Sequence, residues 1–174
     1  QRQMCIRDRL SGGYEICKKA LFLLPEDLDG KFTGVSRFWG IDANALKAEL
    51  DVSYRYGTKL EASAKVGYHR WKTADGGETI SYNRPQWEGG ANIRYMPVRP
   101  FTLEAGYEFA AGREYSNLGK LSDIHLVHLK ASYAFTSWFS LYGLTDNVLN
   151  RKYDILYGMP AQGINFMFGV DLKF

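Results

Sequence analysis

The sequence predicts an all-β protein: a partial, antiparallel, up-and-down transmembrane β-barrel with about seven or eight strands. Three observations predict it. Apolar and polar residues alternate with period two through seven successive segments. The connections between segments alternate strictly between short and long. Aromatic residues gather around the short connections, mostly on the apolar face.

The first clear strand sets Leu46, Ala48, Leu50, Val52, Tyr54 and Tyr56 against Lys47, Glu49, Asp51, Ser53 and Arg55. Past Gly57 and Thr58, Leu60, Ala62, Ala64, Val66 and Tyr68 oppose Glu61, Ser63, Lys65 and His69. The third strand sets Trp87, Gly89, Ala91, Ile93 and Tyr95 against Glu88, Gly90, Asn92 and Arg94. The fourth, from Phe101, carries Leu103, Ala105, Tyr107 and Phe109 on its apolar side. In the fifth, Val127, Leu129, Ala131, Tyr133 and Phe135 oppose His128, Lys130, Ser132 and Ala134. The sixth, residues 138–149, is less regular, with Tyr142 and Leu144 on its polar side. The seventh is the terminal INFMFGVDLKF, apolar at Ile164, Phe166, Phe168, Val170, Leu172 and Phe174.

Upstream the pattern weakens. Residues 31–44 read as a further strand whose apolar parity, at Val35, Trp39 and Ile41, is opposite to that of the segment after it. A bulge or tight turn near residues 42–44 would account for the switch. Residues 11–30 carry no clear assignment.

Residues 57–58, 97–100 and 136–137 are short connections; residues 73–81 with their flanks, 111–123 and 150–162 are long. Tyr54, Tyr56, Tyr95, Phe101, Tyr133, Phe135, Trp138 and Phe139 surround the short ones. Amphipathic rings settle at headgroup depth, so the short turns are expected at one membrane interface and the long loops beyond the other. A soluble sandwich or lipocalin-like barrel would also alternate, but would have no reason to sort its loops by length or to belt one end with rings.

Composition agrees. Aromatic residues reach 15%, with 12 Tyr, 10 Phe and 4 Trp. The net charge of +3 is dispersed along the chain, which gives no footprint for nucleic acid. No apolar run approaches the roughly 18 residues of a membrane-spanning helix, a test that is blind to half-apolar barrel strands. Cys5 and Cys17 form no disulfide framework.

No catalytic, cofactor-binding or metal-binding residues are assigned. His125 and His128 are three apart on a strand and point to opposite faces. His69 and His128 share the polar side, where hydrated wall residues are the commoner occurrence than a zinc pair. His128 and Ser132 share a face but lie two pairs apart, too far for the Ser-His contact of an outer-membrane phospholipase. The charges of the polar face, among them Lys47, Glu49, Glu61, Arg94, Glu104 and Lys130, read as mutual pairing on a wet wall or as contacts to a plug or solute. Trp71, Tyr82, Trp87, Tyr115 and Tyr157, in the long loops and their flanks, are the candidate ligand-facing residues.

One stretch resembles a known family. TDNVLNRKY at residues 145–153 is similar to the segment before the last strand of TonB-dependent outer-membrane receptors, with Asn147, Val148, Leu149, Lys152 and Tyr153 at its motif positions. Tyr153 has a structural rival role, because the motif recurs whatever the substrate. The terminal strand, with Val170, Leu172 and Phe174, resembles that family's C-terminus, which the barrel-assembly machinery reads. Phe38 to Asp42, FWGID, resembles an upstream strand opening of the same family.

The resemblance implies that residues 11–174 are the C-terminal part of an outer-membrane β-barrel, in a family whose barrels have about 22 strands. Residues 1–10 include QRQMCIRDR, which resembles the adapter-derived peptide at broken ends of metagenomic reading frames, and are expected to be non-native. The implied function is TonB-dependent uptake of a scarce nutrient (a siderophore, cobalamin or a glycan) at the bacterial outer membrane, without catalysis. The implied partners are the lipid bilayer with its lipopolysaccharide, the TonB system through a plug domain, the barrel-assembly machinery and a small nutrient ligand. The alternative is a small complete eight-stranded barrel acting as an adhesin, a structural protein or a passive pore.

Overall fold

Ten strands account for most of the chain in the computed structural model, which describes residues 4–29, 31–77, 79–80, 84–114, 119–156 and 158–173. They are β1 (Met4–Leu28), β2 (Lys31–Tyr56), β3 (Leu60–Thr73), β4 (Trp87–Val98), β5 (Phe101–Ala111), β6 (Ile124–Ala134), β7 (Phe139–Asp146), β8 (Asp154–Leu156), β9 (Met159–Pro160) and β10 (Asn165–Leu172). Eight form one sheet in the order β1-β2-β3-β4-β5-β6-β7-β10, and every neighbouring pair is antiparallel. The small β8–β9 hairpin lies within the connection between β7 and β10. This is the meander that the alternation predicts. Tyr82, Tyr115, Tyr157 and Phe174 lie outside the described residues.

Register decides which residues share a face, because directly opposed residues in an antiparallel pair point the same way. Leu50, Val66, Gly89 and Phe109 are successive partners across β2 to β5. They belong to the outward face, whose other members include Ile93, Leu103, Leu129 and Leu141. On β10 this face carries Phe166, Phe168, Val170 and Leu172, and Phe168 is 83% exposed. A face this apolar and this bare suits hydrocarbon and would be an aggregation hazard in water.

The rings form two belts on the outward face. At the short turns, Tyr133 and Phe135 meet at 4.8 Å, and Phe139 packs against Phe135 at 5.5 Å and Trp138 at 5.8 Å. Toward the other end, Tyr68 and Trp87 meet at 4.8 Å, and Tyr107 stacks near Phe109 and accepts or donates a hydrogen bond at His125 Nδ1, 2.8 Å away. Trp87 and Tyr95 mark the two belts on β4, eight positions apart. At about 3.3 Å per residue and a tilt of 35–45°, they stand roughly 20 Å apart along the membrane normal, close to the ~25 Å apolar band of such barrels.

β1 and β2 are much longer than the roughly 9–11 residues a membrane crossing needs, so this hairpin rises well beyond the upper belt. Its register is broken between Cys17 and Ala20, where β1 carries one more residue than β2. Lys19 takes a left-handed backbone (φ 51°), and its N–H donates to Asp42 Oδ1 at 2.7 Å. The bulge expected near residues 42–44 is therefore on the opposite strand. From Ala43 to Tyr56, β2 stays in unbroken register with β3. Its parity switch has another cause. Above the upper belt the outward face meets water, and Asp42 and Asn44 occupy it. Apolar residues there turn inward: Phe22, Ala43, Ala45, Trp71 and Ile80 form a buried cluster, with Cys17, Ala20, Leu24 and Ile41 packed against it.

Candidate functional site

The inward face of the wall is a charge ladder. Arg55 opposes Glu61, Glu61 opposes Arg94, Arg94 opposes Glu104, and Glu104 opposes Lys130, so signs alternate across five neighbouring strands. Arg55 pairs with Glu61 at 3.0 Å and Arg94 with Glu104 at 3.3 Å. Farther toward the mouth, Lys65 pairs with Glu49 at 3.3 Å, and Lys47 pairs with Glu15. These side chains are substantially exposed, so each pair contributes at most about 1 kcal/mol. Their arrangement keeps a wall of long ionic side chains hydrated and mutually neutralised. Arg55, Glu61, Arg94, Glu104 and Lys130 line a trough of about 790 Å³.

His69 and His128 fit this wall. His128 Nδ1 bonds Asp146 Oδ1 at 3.0 Å, while its Nε2 lies 3.7 Å from Glu108, beyond hydrogen-bond distance. His69 Nε2 lies 3.2 Å from Glu88 Oε1, but without the alignment of a hydrogen bond. His69 is on β3 and His128 on β6, level with Ser63; three strand spacings, about 14 Å, and six positions along the strand separate them, too far to share a metal. Among the described residues, no group of three or more His, Cys, Asp or Glu side chains is placed to hold a metal ion.

The mouth is built from three connections. The β3–β4 connection folds back over the inward face, where Ile80 N–H donates to the Trp71 carbonyl at 2.9 Å. Its first turn is held by Asp75, whose carboxylate accepts from the Thr73 hydroxyl and from Gly77 N–H at 3.0 Å. These two bonds, the first the stronger, hold Asp75 below the usual carboxylate pKa, so what it adds to the turn is present at neutral pH and lost as pH falls through that lowered value. The β5–β6 connection is pinned by Arg113. This residue is 2% exposed and donates to the carbonyls of Asp154 at 2.9 Å and Ile155 at 2.6 Å. One cation thereby ties the second connection to the third, which carries β8 and β9.

The third connection begins with the TDNVLNRKY segment, and its Asn147 is structural in geometry. Asn147 is 5% exposed and has a left-handed backbone (φ 50°). Its Oδ1 accepts from Arg151 N–H at 2.9 Å, while its Nδ2 donates to the carbonyls of Arg151 at 2.9 Å and Gln162 at 3.3 Å. Val148 N–H reaches the Val127 carbonyl, and Asn150 Oδ1 accepts from Ile164 N–H. The two asparagines thus stop β7, turn the chain and start β10. Leu149 is exposed, and Tyr153 is half-buried with its carbonyl bonded to Ala161 N–H.

Of the expected ligand-facing rings, Trp71 lies within β3 and is 9% exposed, packed edge-to-face on Phe22 at 5.7 Å. Its ring is covered because the β3–β4 connection lies over it. Trp87 belongs to the outward belt as the partner of Tyr68, pointing away from the trough. Sequence reasoning missed Arg113 and Arg84. Arg84 lies over both Phe22 and Trp71, with its guanidinium carbon 4.7 and 4.5 Å from the ring centroids. Neither arginine follows the strand alternation that would have flagged it.

No family model matches the chain, and no curated protein sequence is similar enough to serve as a relative. Solved structures are similar in fold. The copper transporter OprC superimposes with a TM-score of 0.73 at 16% identity, over 97% of this chain and 29% of its own. The ferripyoverdine receptor of the Pseudomonas aeruginosa outer membrane gives 0.72 at 16% identity, over 97% and 25%. OmpT, an outer-membrane protein of Vibrio cholerae, gives 0.56 at 17% identity, over 96% and 51%. The chain thus spans about a quarter of the length of the receptors it matches. Its fold is that of a part of the barrel wall of TonB-dependent outer-membrane receptors.

Proposed function

We propose that this chain is part of the wall and outer mouth of a bacterial outer-membrane receptor that takes up a scarce nutrient with energy from TonB. The observation that carries the reading is the inward face. Paired ionic side chains cover it across β2 to β6, while the outward face is apolar and belted. Barrels of about eight strands are just wide enough for their side chains to fill, whereas wider ones hold an aqueous or plugged lumen. A ladder of facing ionic side chains of alternating sign, with Arg55–Glu61 and Arg94–Glu104 salt-bridged, suits the wider kind. β1 and β10 are opposite edges of the sheet, and no pairing joins them among the described residues. The closer superposition on the receptors than on OmpT supports a wide barrel over a small pore.

The wall's partners in this reading are the bilayer with its lipopolysaccharide on the outward face, a plug within the lumen that engages TonB, and the barrel-assembly machinery at the terminal strand, including Val170, Leu172 and Phe174. The ligand is a small nutrient bound from outside. The similar receptors are named for copper and ferripyoverdine, which favours a metal ion or ferric chelate over cobalamin or a glycan. The wall itself carries out no catalysis.

The test is uptake by cells producing the natural protein, using radiolabelled ferric chelates and copper, with and without TonB. The reading expects accumulation that disappears without TonB. Accumulation unaffected by TonB would overturn it in favour of a passive pore.

A further inference from the structure

We propose that His128 is a proton-operated latch on the lumen face, joining Glu108 of β5 to Asp146 of β7 when the medium turns acid. The latch needs the lumen wall alone and no particular solute. Asp146 holds the ring through Nδ1, at 3.0 Å. An ionised carboxylate can only accept, so Nδ1 carries the ring proton. The neutral ring is then left with a bare lone pair at Nε2. That nitrogen is buried and has no hydrogen-bond partner among the described residues. It faces Glu108 Oε2, 3.7 Å away. Two acceptors cannot bond each other, which accounts for the gap. One proton at Nε2 makes the ring a donor on both sides, and charge-assisted N–H···O bonds close to about 2.7–2.9 Å.

The surroundings leave this contact free to form. Lys65, level with Glu108 two strands away, pairs with Glu49. On β5 the ring's other ionic neighbour is Glu104, which Arg94 holds at 3.3 Å. Along β6 it is Lys130, whose ammonium lies 5.2 Å from the Tyr142 ring of β7. Gly106, directly opposite His128, puts no side chain in the path; a Cβ there would lie 3.6 Å from His128 Cδ2. His69 also sets a buried, unpartnered Nε2 near a glutamate, but Lys47 lies opposite it and Arg84 over the neighbouring Trp71. Those cations oppose a further positive charge there, so the latch is assigned to His128. Imidazole is the side chain that changes charge between about pH 5 and 8. Acid therefore takes the Glu108 carboxylate out of the free charge of the lumen and ties β5 to β7 across β6. In neutral medium the same carboxylate stays open to a passing cation.

The test labels the histidines of the natural protein with 15N in an uncharged detergent. His128, assigned through His128→Asn, is followed by NMR at about pH 8 and about pH 5. The result expected at the higher pH is the Nδ1–H tautomer with an unprotonated Nε2. At the lower pH an Nε2–H should appear and exchange with water about tenfold or more slower than in Glu108→Leu. Glu108→Gln gives a second arm. Its amide N–H can donate to the bare nitrogen, so Nε2 should show an accepted hydrogen bond already at the higher pH. His125, on the outward face, should behave alike in every protein, which reports that the variants are folded. An Nε2–H present at the higher pH in the wild-type protein, or equal exchange in wild type and Glu108→Leu, would overturn the latch. Transport does not enter this readout: uptake that ignores TonB would sink the receptor reading and leave these resonances as they are.

Discussion

Asn147 gives the sharpest test of whether the TDNVLNRKY segment works by structure or by contact with a solute. Asn147→Ala makes two changes. An alanine held near φ 50° pays the left-handed penalty, about 1–2 kcal/mol. Losing the amide also strips partners from Arg151 N–H and from the Arg151 and Gln162 carbonyls in a buried turn, about 1–3 kcal/mol more. The two together come to about 2–5 kcal/mol of local stability. At about 1.4 kcal/mol per factor of ten, that is roughly thirtyfold or more in local opening. Hydrogen exchange at the Arg151 and Ile164 amides reads this directly. Asn147→Gly removes only the backbone penalty and should fall between wild type and alanine. Asn147→Asp keeps the acceptor for Arg151 N–H but sets a carboxylate oxygen against the Arg151 and Gln162 carbonyls in a buried turn, and should open at least as readily as alanine. Wild-type exchange in Asn147→Ala, accompanied by loss of uptake, would refute the structural account and make Asn147 a ligand contact.

Further outcomes follow from the same geometry. A Cβ on Gly169 would run into the Tyr142 ring, so Gly169→Val should cost about 1–3 kcal/mol in urea unfolding, and adding Tyr142→Ala should recover part of it. Arg113→Met should leave the carbonyls of Asp154 and Ile155 unpaired, so a protease should cut within residues 147–163 several times faster while the melting temperature of the sheet barely moves. A cysteine at Gly76 should react with an impermeant maleimide on intact cells, whereas one at Thr58 or Ser137 should not; the reverse would invert the orientation.

The wall was legible because one period and one environment governed each strand. β3, β4, β5 and β6 follow their alternation almost residue for residue, and the short turns fall where the belts of rings said they would. β7 ends at Asp146, earlier than the alternation suggested, because Asn147 leaves the strand conformation. β1 was illegible for two local reasons: the bulge at Lys19 shifts its period, and Gly12 and Gly13 give neither face a side chain. Residues 4–10, expected to be non-native, pair with β2 in the same sheet. β2 misled because it crosses from membrane to water, and the face that must be apolar changes with the solvent. Trp39 and Leu46 obey the same rule on opposite sides of that boundary. The mouth was the least legible part. Trp71 and Trp87 were both read as rings near long loops, yet one is covered by Ile80 and Arg84 while the other joins Tyr68 in the outward belt. Those fates depend on partners many residues away, which no local period records.

The central claim is that the sheet's apolar face looks into lipid and its charged face into a wet lumen. Nitroxide labels placed singly from Asn165 to Leu172 on β10, in the natural protein reconstituted in bilayers, test it most directly. Collisions with oxygen, which partitions into lipid, should peak at 166, 168, 170 and 172. Collisions with a water-soluble nickel chelate should peak at 165, 167, 169 and 171. The opposite alternation, or nickel access at every position, would contradict the account.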